Sequence, residues 1–272
     1  MTKIVMIKRP IPRITFDTNV CNVIHNPDKR PTKVTPEVAR KIRAAISDRC
    51  ILGFVSEATT FVECLSFPDK LAYLAVAGTP DCRPSPDLRM IAIFDDLASL
   101  GMTLLHAPLI GSEKFVESIP WAEDEIYPIE KRQTLFGDFI SPFPRHLPLI
   151  EYGRSLLVKQ STVPQPNSIH SETSLSSLPI PQLWAKSIKR AWDEDLSGQR
   201  NLEKIVRPII GEWCDCLIVG SHMSYGNDIF CTTDMGKNAG TTSLLHHTNR
   251  ERLVKTGIRI MTPGELVLHL AL

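Results

Sequence analysis

A chain of 272 residues with 43% apolar content can bury one large α/β domain, or a smaller domain carrying a long insertion. Its 31 Lys and Arg nearly cancel its 30 Asp and Glu, so charge alone marks no polyanionic partner. Any RNA contact must come from a local basic face.

In chain order, Ile14-Thr15-Phe16 is a β-prone run that ends at Asp17-Thr18-Asn19, and Val20, Val23 and Ile24 follow at helical spacing. Strand, polar turn and helix together make the βα unit of a parallel sheet. Thr35 as cap and Pro36 at the first helical position predict a helix to about Ser47. Ile51 to Val55 reads as a second buried strand, and Thr60 to Leu65 as helical. Pro86 to Leu100 follows a helical pattern stopped by Gly101, and Met102 to Leu105 makes a third strand. Glu212 to Tyr225 is an amphipathic helix, Ile229-Phe230-Cys231 a fourth strand, and Ile258 to Met261 a fifth. Pro263-Gly264-Glu265 starts a closing helix through Leu270.

Residues 107–208 are too long for an ordinary connection, and residues 160–181 are dominated by Ser, Thr, Pro, Asn and Gln. The expected organisation is one domain from 1–106 and 209–272, with a mainly helical and irregular insertion, 107–208, flexible at 160–181. The expected fold class is α/β, three layers around a parallel sheet of five strands.

The N-terminus MTKIVMIKRP lacks the apolar core of a secretory signal, and no run approaches a membrane span. Seven scattered cysteines read as reduced thiols, so the expected setting is cytoplasmic. Cys214 and Cys216 flank Asp215 with no matching second pair, which argues against zinc.

Asp17 ends the first strand and Asp234 follows the fourth, where open parallel sheets gather ligands. Glu63, after strand two, and Asp215, read as the first turn of the helix before strand four, can point to the same edge. Carboxylates sharing a site repel one another unless a cation neutralises them, and hard oxygen ligands suit Mg²⁺ or Mn²⁺. Glu57 competes with Glu63 as the second acid and is otherwise a solvated loop acid. Asp228 reads as a turn residue, Glu123-Asp124-Glu125 as a charged face, and His246-His247 as a surface helix feature. Trp184 and Trp192 read as core or partner surface. Lys186, Lys189, Arg190, Arg250, Arg252 and Lys255 are the local candidates for phosphate contacts.

Phe16-Asp17-Thr18-Asn19-Val20 resembles the opening strand motif of PIN-domain nucleases. The run from Ser56 to Leu65 is similar to their second motif, with Thr60 three residues before Glu63. Asp215-Cys216-Leu217-Ile218 resembles the third acid with an apolar residue three later. Ile229 to Asp234 looks like the fourth motif, and Ile260 to Leu266 like the closing strand-Pro-x-Glu-Leu segment. Each fragment is weak alone; the five occur in the family's order over residues 12–106 and 209–270.

The resemblance implies a Mg²⁺- or Mn²⁺-dependent endoribonuclease with Asp17, Glu63, Asp215 and Asp234 as catalytic metal ligands. It implies that Asn19 caps the first helix and bonds within the cluster, and that Thr232 or Thr233 donates to a carboxylate or the scissile phosphate. RNA is then the substrate. An antitoxin or other protein partner and a homodimer belong to the same expectation, and the insertion sets the chain apart from compact toxins. Two readings compete with it: a catalytically weak PIN fold serving as a binding or assembly module through its insertion, and an Asp17-nucleophile phosphatase. The second wants another Asp two residues on, where Asn19 stands.

Overall fold

In a computed structural model, residues 10–28, 33–63, 65–70, 88–107, 116–123, 193, 199–236 and 243–272 are described. Strand β1 (Arg13–Phe16) is buried along its whole length, as a strand covered on both faces must be. It pairs in parallel with β2 (Leu52–Ser56) on one side and β4 (Ile229–Cys231) on the other. Strands β3 (Thr103–Leu105) and β5 (Ile260–Met261) complete an all-parallel sheet of order β3-β2-β1-β4-β5.

One face carries helices α1 (Thr18–His25), α2 (Pro36–Ser47), α3 (Leu88–Ser99) and α6 (Pro263–Leu270). Ile14 and Phe16 meet Val20, Ile24, Ile42, Phe94, Leu97 and Leu266 there in the main core. The other face turns Phe54 and Leu105 towards Tyr225, just beyond the long helix α4 (Gln199–Ser224). Ser56 and Ser221 hydroxyls, 2.7 Å apart, tie β2 to α4. The fold is therefore the expected three-layer α/β/α arrangement. Helix α5 (His247–Lys255) lies between β4 and β5 in sequence.

Local chemistry explains most boundaries. Thr35 accepts the Val38 amide and Pro36 opens α2, so that helix runs over the expected residues. Thr262 and Glu265 form a reciprocal capping box at α6. Gly101, at φ +89°, adopts the left-handed conformation that ends α3.

Two local readings change. Helix α4 begins at Gln199, well before Glu212, and carries Pro208 inside it. A proline reads as a helix breaker, which hides the turns that precede it. The segment after β2 contains a π-helical turn, Thr59–Glu63, in place of regular helix. The readings of Asp124 and Glu125, of Trp184, Lys186, Lys189, Arg190 and Trp192, and of residues 160–181 lie outside the described residues. No helix among the described residues is long and apolar enough to cross a membrane.

Candidate functional site

Strands β2 and β3 follow one side of β1 while β4 and β5 follow the other, so the strand order reverses between β1 and β4. Asp17 stands at that switch point. Its amide donates to the Cys231 carbonyl across the two strand ends at 3.0 Å. Its carboxylate is 4% exposed and caps α1, with Oδ1 accepting the Thr18 amide at 2.7 Å. Asp17, not Asn19, is thus the helix cap. Asn19 lies within the first turn and does the other part of its expected work. Its Nδ2 donates to Asp17 Oδ2 at 2.5 Å, and its Oδ1 accepts the Thr233 amide at 3.0 Å.

Thr232 joins the two aspartate segments. Its hydroxyl donates to Asp17 Oδ2 at 2.5 Å and accepts the Asp234 amide at 2.9 Å. Thr233 contributes its backbone, donating to Asn19 and accepting from Lys33 Nζ at 3.3 Å. Asp234 Oδ1 accepts the Gly236 amide at 2.7 Å, closing a tight turn.

The π-helical turn brings Glu63 to the same place, where its Oε2 accepts the Thr18 hydroxyl. Asp215 lies deep within α4, not in its first turn, so a favourable helix N-terminus does not explain it. All four expected acids act on one another electrostatically. Burial raises Asp17 above the usual carboxylate range; hydrogen bonds from Thr232, Thr18 and Asn19 oppose this, and the Asp234 charge adds to it. Glu63 is pushed up to about 8, first by burial and then by Asp17, with Lys70 opposing. Asp215 is raised well above the ordinary value by burial, then by Asp17, Glu63, Glu212 and Asp234. The causes are the same throughout: lost solvation and like charges.

Glu57 is elsewhere. It is fully buried, not a solvated loop acid, and its Oε2 lies 3.5 Å from His106 Nδ1. The His106 ring stacks on Trp121 with centroids 3.9 Å apart. Glu57 thus pairs across the β2–β3 ends, while Glu63 faces Asp17. Asp228 accepts the Arg13 amide at 2.8 Å, a turn and strand-end role as expected. His246 caps α5 and its ring lies 4.1 Å from that of His247. The Cys216 thiol is pushed well up by burial and by Glu212 and Asp215.

Comparison with protein-family models, curated proteins and solved structures finds no match.

Three participants escaped the sequence reading. Thr18 holds Glu63; it was visible only as a neighbour of Asp17. Glu212, one turn before Asp215, is buried and accepts the Leu244 amide. Lys33 precedes α2, and nothing in its local sequence points to Thr233.

Among the described residues no three His, Cys, Asp or Glu side chains already surround one point as ligands. The chemistry of the donor set nevertheless fits a hard cation: clustered carboxylates, three of them raised by burial and repulsion, offer oxygen donors short of positive charge.

Proposed function

We propose that this chain is a Mg²⁺- or Mn²⁺-dependent endoribonuclease that hydrolyses phosphodiester bonds in single-stranded or structured RNA, acting in the cytoplasm. What supports this reading is that Asp17 and Asp234 are tied through Thr232 at the β1–β4 switch point, that Glu63 accepts the Thr18 hydroxyl there, and that Asp215 acts on all three electrostatically. Carboxylates that raise one another by repulsion are relieved when a divalent ion neutralises them, and any proton they hold must leave, so cation affinity is expected to rise with pH.

Asp17, Glu63, Asp215 and Asp234 would hold the ion. When bound it supplies an activated water and positive charge for the departing oxygen. Thr232 and Asn19 fix the Asp17 oxygen on which both converge, and Thr18 orients Glu63. Lys33, exposed beside Thr233, supplies a cation for an RNA phosphate. Cys50, Cys216 and Cys231 are free thiols, which suits a reducing compartment. An antitoxin-like protein partner and a homodimer belong to the same reading.

The test is cleavage of a labelled single-stranded RNA by the purified chain in Mg²⁺ or Mn²⁺, beside Asp17→Asn and Asp234→Asn. Each substitution is expected to lower the rate about 100-fold or more. Equal rates in all three proteins sink the proposal. RNA retention without cleavage in either metal supports a binding or assembly module instead.

A further inference from the structure

The segment that carries Asp234 is gripped from outside the acidic cluster. Arg250, in the first turn of α5, donates through Nη2 to the Asp234 carbonyl and through Nε to the Leu245 carbonyl at 2.9 Å. Burial lowers its pKa while Asp234 and Glu265 raise it, so the guanidinium is partly desolvated and under the influence of both acids. Two of its donor groups are engaged by backbone carbonyls, which is a different use from the phosphate contact expected of it.

What holds Arg250 is itself fixed. Glu212 accepts the Leu244 amide from α4, and Asn249 Nδ2 donates to the Ser243 carbonyl at 2.6 Å, both in buried positions. Gly236, at φ +62°, approaches this bracket so closely that a Cβ there would stand 2.4 Å from the His246 nitrogen. The Asp234 turn is therefore held by Thr232 on the sheet side and by Arg250 and the His246 backbone on the α5 side.

We infer that Arg250 is a positioning residue: it fixes the Asp234 backbone, and through it the place of the fourth carboxylate. A planar fork reaching two carbonyls is pre-organised for this in a way that a lysine's single ammonium is not. The part of this inference that concerns cation binding rests on the reading of the site proposed above. The grip itself does not.

The experiment uses the full chain and two variants, Arg250→Gln and Arg250→Lys. The first readout is amide hydrogen exchange without metal. In Arg250→Gln the amides of Asp234 and Gly236 are expected to exchange about tenfold faster or more, while Ile14 to Phe16 remain slow. Unchanged exchange at Asp234 and Gly236 overturns the inference. Where Arg250→Gln fails to fold, Arg250→Lys is measured the same way, with the same expected and overturning results. The second readout is Mn²⁺ affinity by titration of the free-ion electron paramagnetic resonance signal. Arg250→Gln is expected to bind roughly 10- to 100-fold more weakly than the parent. Parent-like affinity in the variant overturns the positioning role while leaving the nuclease reading intact. A parent that binds no Mn²⁺ counts against the nuclease reading, and the exchange result then decides the inference alone.

Discussion

Two groups of partly buried charge sit on this fold, and they are built in opposite ways. On the α1–α3 side, Asp96 accepts both Arg43 nitrogens, at 2.6 and 2.7 Å, and lies 3.0 Å from His25 Nδ1. Its pKa is lowered, first by the Arg43 hydrogen bonds. At the β1–β4 end, Asp17, Glu63 and Asp215 are raised, first by burial and then by one another. The first group brings its own counter-charge and joins three helices. The second is short of positive charge, and it is the one placed at the switch point. A carboxylate with its partner supplied is reason enough for its own stability; a crowd of carboxylates without one points to something that comes from outside.

The sharpest way to break this contrast is to exchange the two kinds of carboxylate for neutral residues. Asp17→Asn is expected to lower RNA cleavage about 100-fold or more, while the metal-free melting temperature changes little, because the repulsion removed offsets the hydrogen bonds that an amide nitrogen can no longer accept. A marked loss of metal-free stability would place Asp17 with the structural group. Activity and thermal melting on the same preparation read both effects.

The pH response separates the groups next. Glu63, raised from 4.5 to about 8, holds a proton in the folded chain that the unfolded chain has released. The folded state therefore binds more protons across that interval, and metal-free stability falls as pH rises from about 4.5 through about 8. After allowance for partial exposure the change is on the order of 2 kcal/mol. Asp96 runs the other way: its contribution is present above the ordinary Asp value and is lost only as pH falls below it. Chemical denaturation at pH 5, 7 and 8.5 is the measurement. Mn²⁺ should restore the loss at high pH, and Glu63→Gln should flatten it.

Smaller effects sharpen the picture. Asp96→Ala should cost about 1–2 kcal/mol of stability and leave Mn²⁺ affinity unaltered, since its bonds to Arg43 are only partly shielded from solvent. Thr232→Val removes the hydroxyl shared by Asp17 and the Asp234 amide, and is expected to weaken Mn²⁺ binding about tenfold at nearly unchanged rate under saturating metal. A rate that stays low at saturation would give that hydroxyl a part in the chemistry itself.

The βα opening, the Thr35-Pro36 helix start, the Gly101 stop and the Thr262–Glu265 box were all legible because each depends on residues a few positions apart. The positions of Asp17 and Asp234 followed from strand ends, which periodicity reveals. Pairings between distant segments were not legible. Glu57 looked solvated because His106, which pairs with it, and Trp121, which stacks on His106, come from beyond β3. Asp215 looked like a first-turn residue because Pro208 hid the preceding turns of α4. Arg250 looked available for phosphate because nothing nearby in sequence shows that it reaches the carbonyls of Leu245 and Asp234.

The central strand also dictates an order of events. Ile14 pairs with Gly53 on one side but with Ile229 on the other, so one of its two neighbours arrives from the far end of the chain. The entropy of closing so long a loop grows only with the logarithm of its length, about 0.6 kcal/mol for each doubling. The residues between β3 and α4 therefore add little to that cost, although a long-range parallel pairing is slow to find. Asp17 and Glu63 belong to the early half and Asp215 and Asp234 to the late one. The repulsion that Asp234 adds arises only when β4 docks on β1, so that docking is a step that a divalent ion in the refolding buffer is placed to hasten.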